Sequence, residues 1–294
     1  MKNLQQNVIQ TWGDAGRAWL AQLPERVAAL AQKWNLRDLK PVTPLSYNYV
    51  LKGIDATHHV PIVLKLSCDP VEFMREVSAL TIYNGNACIK LLAHDVELGA
   101  MLLEQAIPGI TLKSLFPQQD SRALEHTVAV MNHLHAAVVP DNAHDQFPVI
   151  AQWLQELHTT VKISGYHLEK AQDLAKDLLQ TSAPSVLLHG DLHHNNVISV
   201  ADRWVAIDPK GVLGEPLYEI GAFVRNPIPE LIDQPDVVAR IARRLDHFSD
   251  ILHADRQRVK AWCYVQALLI YCWSSPASDE SRYWLFEAEV IDKL

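Results

Sequence analysis

The sequence predicts an α+β chain in two unequal parts, a small antiparallel sheet with helices (residues 1–104) followed by a mostly helical body (residues 105–294). Strand-like apolar runs cluster between Leu39 and Glu104, helical periodicity dominates the later chain, and a Pro108-Gly109 turn signal separates the two patterns. With 294 residues, 49% of them hydrophobic, the chain buries enough apolar surface for both parts without disulfide staples.

Each element follows from local pattern. Leu20, Leu23, Val27, Leu30 and Trp34 recur at the spacing that puts apolar side chains on one helix face. Pro24 is expected to split this helix, because proline loses a hydrogen bond in a helix interior but none at the first position, and Asn35 suits a left-handed stop. Runs at Leu39–Val42, Tyr47–Ile54 and Val60–Leu66, separated by Pro, Gly, Asp and His, predict an antiparallel sheet. Asp69-Pro70 opens a helix whose buried stripe is Phe73, Val77 and Leu80, and strands at Ile89–Ala93 and Ala100–Glu104 follow. Helices are expected over Arg122–Ala137, Ala151–Val161 and His167–Leu179, then in one stretch from Val237 to Trp273, whose Trp262, Tyr264, Tyr271 and Trp273 read as core. Between them sits a β-rich insert, Ser185–Ile207.

Composition narrows the class. A net charge of −8 with scattered Lys and Arg argues against a nucleic-acid partner, and suits a cationic small molecule as well as plain solubility. The four cysteines form no CxxC pair, which fits a reducing cytoplasm. MKNLQQNVIQTW lacks the apolar run of a secretory signal, and no uncharged stretch approaches the ~18 residues a membrane span needs.

The chemistry concentrates in His189-Gly190-Asp191-Leu192-His193-His194-Asn195-Asn196, bracketed by apolar runs and followed by Ile207-Asp208-Pro209. Phosphoryl transfer asks for a carboxylate that orients the attacking hydroxyl and for hard oxygen ligands to magnesium. Asp191 fills the first role; Asn196, five residues on, and Asp208, just after a strand, fill the second, and Asp191 with Asn196 repeats the D-x-x-x-x-N of a kinase catalytic loop. A competing reading takes His189 and His193 as zinc ligands of a hydrolase in an HxxxH arrangement, although that spacing serves zinc on a helix and Gly190 with the two asparagines favours a loop.

HGDLHHNN with VAIDPKGVLGEPLYEIGAFVRNP, supported by WGDAGRAWLAQLP and by YNYVLKG and PIVLKL, resembles the aminoglycoside phosphotransferase family, more narrowly its streptomycin 6-phosphotransferase and hydroxyurea-resistance kinase branch. The resemblance implies a protein-kinase-like two-lobe fold that uses ATP and Mg2+. It makes Asp191 the catalytic aspartate, Asn196 and Asp208 the metal ligands, His189 an orienting residue, and Lys65 the strand lysine on the α- and β-phosphates. Glu76 is its expected ion-pair partner, with Glu72 competing. No Gly-rich phosphate loop precedes Lys65; the backbone of Ser46 and Tyr47 stands in its place, and the Glu104–Ala106 backbone is expected to meet adenine. Tyr218 and Glu219 read as a helix start that braces the catalytic loop. The implied acceptor is streptomycin or a similar aminoglycoside, with Glu215, Glu230 and Asp279 as candidate pocket carboxylates; an ordinary metabolite or sugar alcohol is the alternative. A non-catalytic kinase-like module would not need Lys65, Asp191, Asn196 and Asp208 together.

Overall fold

A computed structural model describes residues 1–160, 163, 165–274 and 279–294, with only the backbone of residues 279–281. The chain forms two compact units, Met1–Gly109 and Ile110–Leu294.

The first unit opens with α1 (Lys2–Lys33), then β1 (Leu36–Pro41), β2 (Tyr49–Asp55), β3 (Val60–Leu66), α2 (Pro70–Tyr83), β4 (Leu91–Asp95) and β5 (Ala100–Glu104). The strands make one sheet in the order β1-β2-β3-β5-β4, and every pairing is antiparallel. Leu4, Val8, Trp19, Leu23 and Leu30 of α1 share a core with Leu51, Ile62, Leu64, Leu66 and Leu102 of the sheet. The expected break at Pro24 is not there: α1 runs through it and bends at Gly13 instead, where φ is 55° and ψ −124°. A residue without Cβ adopts that conformation at little cost, whereas exposed Pro24 removes a single hydrogen bond from a helix anchored on both sides by buried Leu23 and Leu30. Asn35 does end the element left-handed, at φ 50°. β1 begins earlier than its pattern suggested, because a bulge between Arg37 and Lys40, with Asp38 at φ 59°, breaks the alternation. α2 starts as expected, Asp69 accepting from the backbone N–H of Val71 and Glu72, with Phe73, Val77 and Leu80 buried.

After β6 (Pro108–Thr111), in which the boundary falls, the second unit runs through α3 (Asp120–His135), α4 (Ile150–Leu154), α5 (Glu156–Thr159) and α6 (Tyr166–Gln180) to β7 (Val186–Leu188), β8 (Val197–Val200), β9 (Arg203–Ala206) and β10 (Val212–Gly214). It closes with α7 (Ile220–Val224), α8 (Val237–Leu252), α9 (Arg256–Trp273) and α10 (Asp279–Lys293). Val161, the expected end of one helix, lies outside the described residues. The stretch from Val237 to Trp273 is two helices: His253 turns left-handed at φ 50° and Asp255 caps α9 through the N–H of Gln257. Trp262 and Tyr264 are core, but Trp273 is 46% exposed. The β-rich insert is real and larger than expected, since β10 returns to pair with β7. β8 and β9 form a tight antiparallel hairpin, joined by Ile110, whose N–H donates to Ser199 Oγ (3.0 Å). Among the described residues no helix is long and apolar enough to cross a membrane.

Candidate active site

The second unit presents its polar loop from between two buried supports. β7 is buried at Leu187 and Leu188 and pairs with β10, so the chain leaves the sheet at His189 in a fixed direction. His189 is fully buried; its Nε2 lies 2.8 Å from the carbonyl of Ile207 and its Nδ1 accepts the N–H of Asp191 (3.2 Å). Facing a carbonyl, Nε2 must carry the proton, which leaves Nδ1 as the acceptor. The carboxylate of buried Glu219 takes the N–H of His189 (2.7 Å) on one oxygen and that of Gly190 (2.9 Å) on the other. Glu219, in the 3-10 turn Pro216–Glu219, thus braces the loop as read from its sequence.

Asp191 is held from three sides. Arg225 Nη2 donates to its Oδ1 (3.3 Å), Asn196 Nδ2 donates to its backbone carbonyl (2.9 Å) and to Oδ2 (3.4 Å), and His193 Nε2 stands 3.5 Å from Oδ2. Burial works against the charge, but His193, Arg225 and Lys210 outweigh it and hold the carboxyl below its ordinary pKa. The group is therefore a carboxylate at neutral pH, fit to accept a hydrogen bond from a hydroxyl. Burial also pulls the His193 imidazole down, with Asp191 opposing.

Asn196 and Asp208 approach each other through the hairpin. Val197 pairs with Ala206, and one step further the N–H of Ile207 donates to the carbonyl of Asn196 (2.9 Å), so Asp208 leaves the hairpin beside the asparagine loop. Asp208 is exposed and left-handed at φ 59°, a conformation that non-glycine residues adopt mainly when their surroundings impose it. With the Asn196 Nδ2 committed to Asp191, its Oδ1 is the atom left to ligate, and together with a carboxylate it makes the hard-oxygen donor set that magnesium prefers. The zinc reading gains no support: both ring nitrogens of His189 face backbone, Nδ1 of His193 accepts the N–H of Asn195 (3.1 Å), and among the described residues no three His, Cys, Asp or Glu gather around a metal position.

In the first unit Lys65 lies on β3, the central strand, between Val50 and Met101. It is no edge lysine; it is 3% exposed and donates to both carboxylate oxygens of Glu76 at 2.7 and 2.8 Å. Ser46 lies in the exposed turn before β2, where Asn7 of α1 donates to its carbonyl (3.3 Å), while Trp12 packs edge-on against Tyr47. The N-terminal helix thus supports the Ser46–Tyr47 turn, a role its sequence did not announce. Glu104 spends its side chain on the N–H of Lys90 (2.8 Å), and Ala106 is buried.

Two of the expected pocket carboxylates are occupied elsewhere. Buried Glu215 forms a two-pronged pair with Arg258, and Glu230 pairs with Lys113 at 2.5 Å. The side chain of Asp279 lies outside the described residues. Arg225, which the sequence reading passed over, is the buried guanidinium behind Asp191. Its only sequence signal was a charged residue in the apolar run Ile220–Val224 to Pro227.

A carboxylate at hydroxyl-accepting reach of an asparagine, with a strand lysine paired to a helix glutamate, is the equipment of a kinase-type phosphotransferase. Residues 46–277 match the model of the aminoglycoside/hydroxyurea antibiotic resistance kinase family. The chain belongs to that family. It is 27% identical over 290 residues to a streptomycin 6-kinase of Streptomyces glaucescens, covering 95% of this chain and 93% of that one. A hydroxyurea phosphotransferase of Kitasatospora aureofaciens is 30% identical over 256 residues, covering 85% and 72%. Among solved structures, a thermostable mutant of the aminoglycoside phosphotransferase APH(4)-Ia, in ternary complex with ADP and hygromycin B, superposes with a TM-score of 0.64 at 14% identity over 90% of this chain and 97% of that one. That likeness establishes the protein-kinase-like fold that the resemblance implied.

Proposed function

We propose that this chain transfers the γ-phosphate of ATP to a hydroxyl of a streptomycin-type aminoglycoside. The observation that carries the reading is the loop geometry of Asp191, a charged carboxylate braced by Arg225 and by the amide of Asn196, which the hairpin sets beside Asp208. In the proposed reaction Asp191 accepts the hydrogen bond of the acceptor hydroxyl, orients it and takes its proton late, a contribution of about 10²–10⁴-fold for a positioned base. Asn196 and Asp208 are the residues that would hold magnesium, which when bound offsets the charge of the phosphates. Lys65, fixed by Glu76, offers a cation to the α- and β-phosphates; backbone amides of Ser46 and Tyr47 meet the phosphate tail, and the backbone from Glu104 to Ala106 meets adenine.

The names of the relatives support streptomycin as the acceptor, and the net charge of −8 favours a cationic one. An ATP-coupled assay across streptomycin, hygromycin B, hydroxyurea and sugar alcohols tests it. Turnover with streptomycin is expected; turnover with a sugar alcohol alone would overturn the acceptor assignment. Chelation by EDTA should abolish transfer and magnesium should restore it, whereas restoration by zinc alone would contradict the assigned ligands.

A further inference from the structure

Arg225 sits at the end of α7 and is 4% exposed, too buried to serve as a surface cation. Its guanidinium reaches in two directions: Nη1 donates to Gln266 Oε1 on α9 (3.0 Å), and Nη2 donates to Asp191 Oδ1 (3.3 Å). Gln266 is itself anchored, its Nε2 donating to the backbone carbonyl of Tyr218. Room for this bridge comes from Gly221 on α7, where an added Cβ would lie 2.6 Å from the Gln266 side-chain amide. A buried chain of hydrogen bonds therefore runs from Tyr218 through Gln266 and Arg225 to one oxygen of Asp191.

We infer that Arg225 is the positioning residue for Asp191, and that Gln266 and Gly221 exist in this arrangement to aim it. With Oδ1 taken by the guanidinium, rotation of the carboxylate about its χ2 torsion is restricted. Oδ2 is met by Asn196 Nδ2 at 3.4 Å and by His193 Nε2 at 3.5 Å, so the carboxylate is held at both ends. The inference rests on the reading of Asp191 as the hydroxyl-orienting carboxylate. Lysine cannot reproduce the two-directional fork, because a single ammonium does not span Gln266 and Asp191 with fixed geometry.

The test compares Arg225→Met, Arg225→Lys, Asp191→Asn and the Asp191→Asn/Arg225→Met double variant, with kcat, KM for ATP and acceptor, and nucleotide Kd measured for each. Misplacement of a reacting group by about 1 Å costs on the order of 10²-fold, so Arg225→Met should lose about that much in kcat while KM and Kd hold, and Arg225→Lys should recover part of it. In the Asp191→Asn background, loss of the arginine should add nothing, because it acts through that carboxylate. Unchanged kcat in Arg225→Met, or losses that multiply in the double variant, would overturn the inference. Should Arg225→Met fail to fold, Gln266→Leu keeps the cation but releases its anchor, and a smaller fall in kcat at constant KM is expected; an unchanged kcat there would equally overturn it. Full turnover by Asp191→Asn would instead refute the underlying assignment of Asp191, a result separable from the arginine's effect.

Discussion

Glu287 of α10 is a carboxyl in the wrong place for a charge. It is 3% exposed, its Oε2 has no hydrogen-bond partner among the described residues, and burial pushes its pKa up to about 8 against the pull of Arg225 and Arg244. The folded chain therefore keeps a proton that the unfolded chain releases near 4.5. Over the interval from there to about 8 the native state binds more protons, so this group's contribution to stability falls as pH rises and is lost above that range. Glu287→Gln should flatten the dependence of Tm on pH across this interval and gain most on the alkaline side; a difference from the parent that does not vary with pH would contradict the assignment. At the same scale, Glu219 holds the buried N–H of His189 and the half-buried N–H of Gly190, and a buried one left unpaired costs about 1–3 kcal/mol. Glu219→Ala should lower the unfolding free energy measured in urea by an amount in that range or above, and loosen the loop that carries Asp191.

At the scale of elements, α8 buries Ile241, Leu245 and Phe248 together with one guanidinium. Arg244 pairs with Asp120 at the start of α3 (2.9 and 2.7 Å), and its Nη1 collects the carbonyls of Phe223, Val224 and Asn226 at the end of α7. One side chain therefore fastens three helices, while its guanidinium also lies over the ring of Phe223. Removing one partner of a buried pair costs about 3–5 kcal/mol, which Arg244→Met should show in chemical denaturation. A loss below 1 kcal/mol, the ordinary value for an exposed pair, would refute this view of the junction. Sequence pattern found most elements where chemistry is local: the Asp69 cap, the Asn35 stop and the apolar run of β3 are written in neighbouring residues. It failed where distant packing decides. The bend at Gly13 instead of Pro24 depends on how α1 folds onto the sheet, and β10, Val212–Gly214, is too short to carry a pattern of its own.

At the scale of the whole molecule, the second unit assembles its site from one contiguous hairpin, which is why Asp191, Asn196 and Asp208 were legible in the sequence. Their supports were less so, because Arg225, Gln266 and Glu219 come from segments 28 to 75 residues beyond Asp191, and nothing local marks a buried arginine as the partner of an aspartate. The pairings of the candidate pocket carboxylates were hidden for the same reason: Glu215 and Glu230 each meet a cation delivered by a remote element. The family sets the chemistry, and we propose that the loop sets the residue that directs it. That claim is tested most directly by phosphoryl transfer from ATP to streptomycin in Asp191→Asn, with nucleotide Kd measured alongside. Loss of about 10²–10⁴-fold or more in kcat with an unchanged Kd is expected; turnover close to that of the parent would contradict the account.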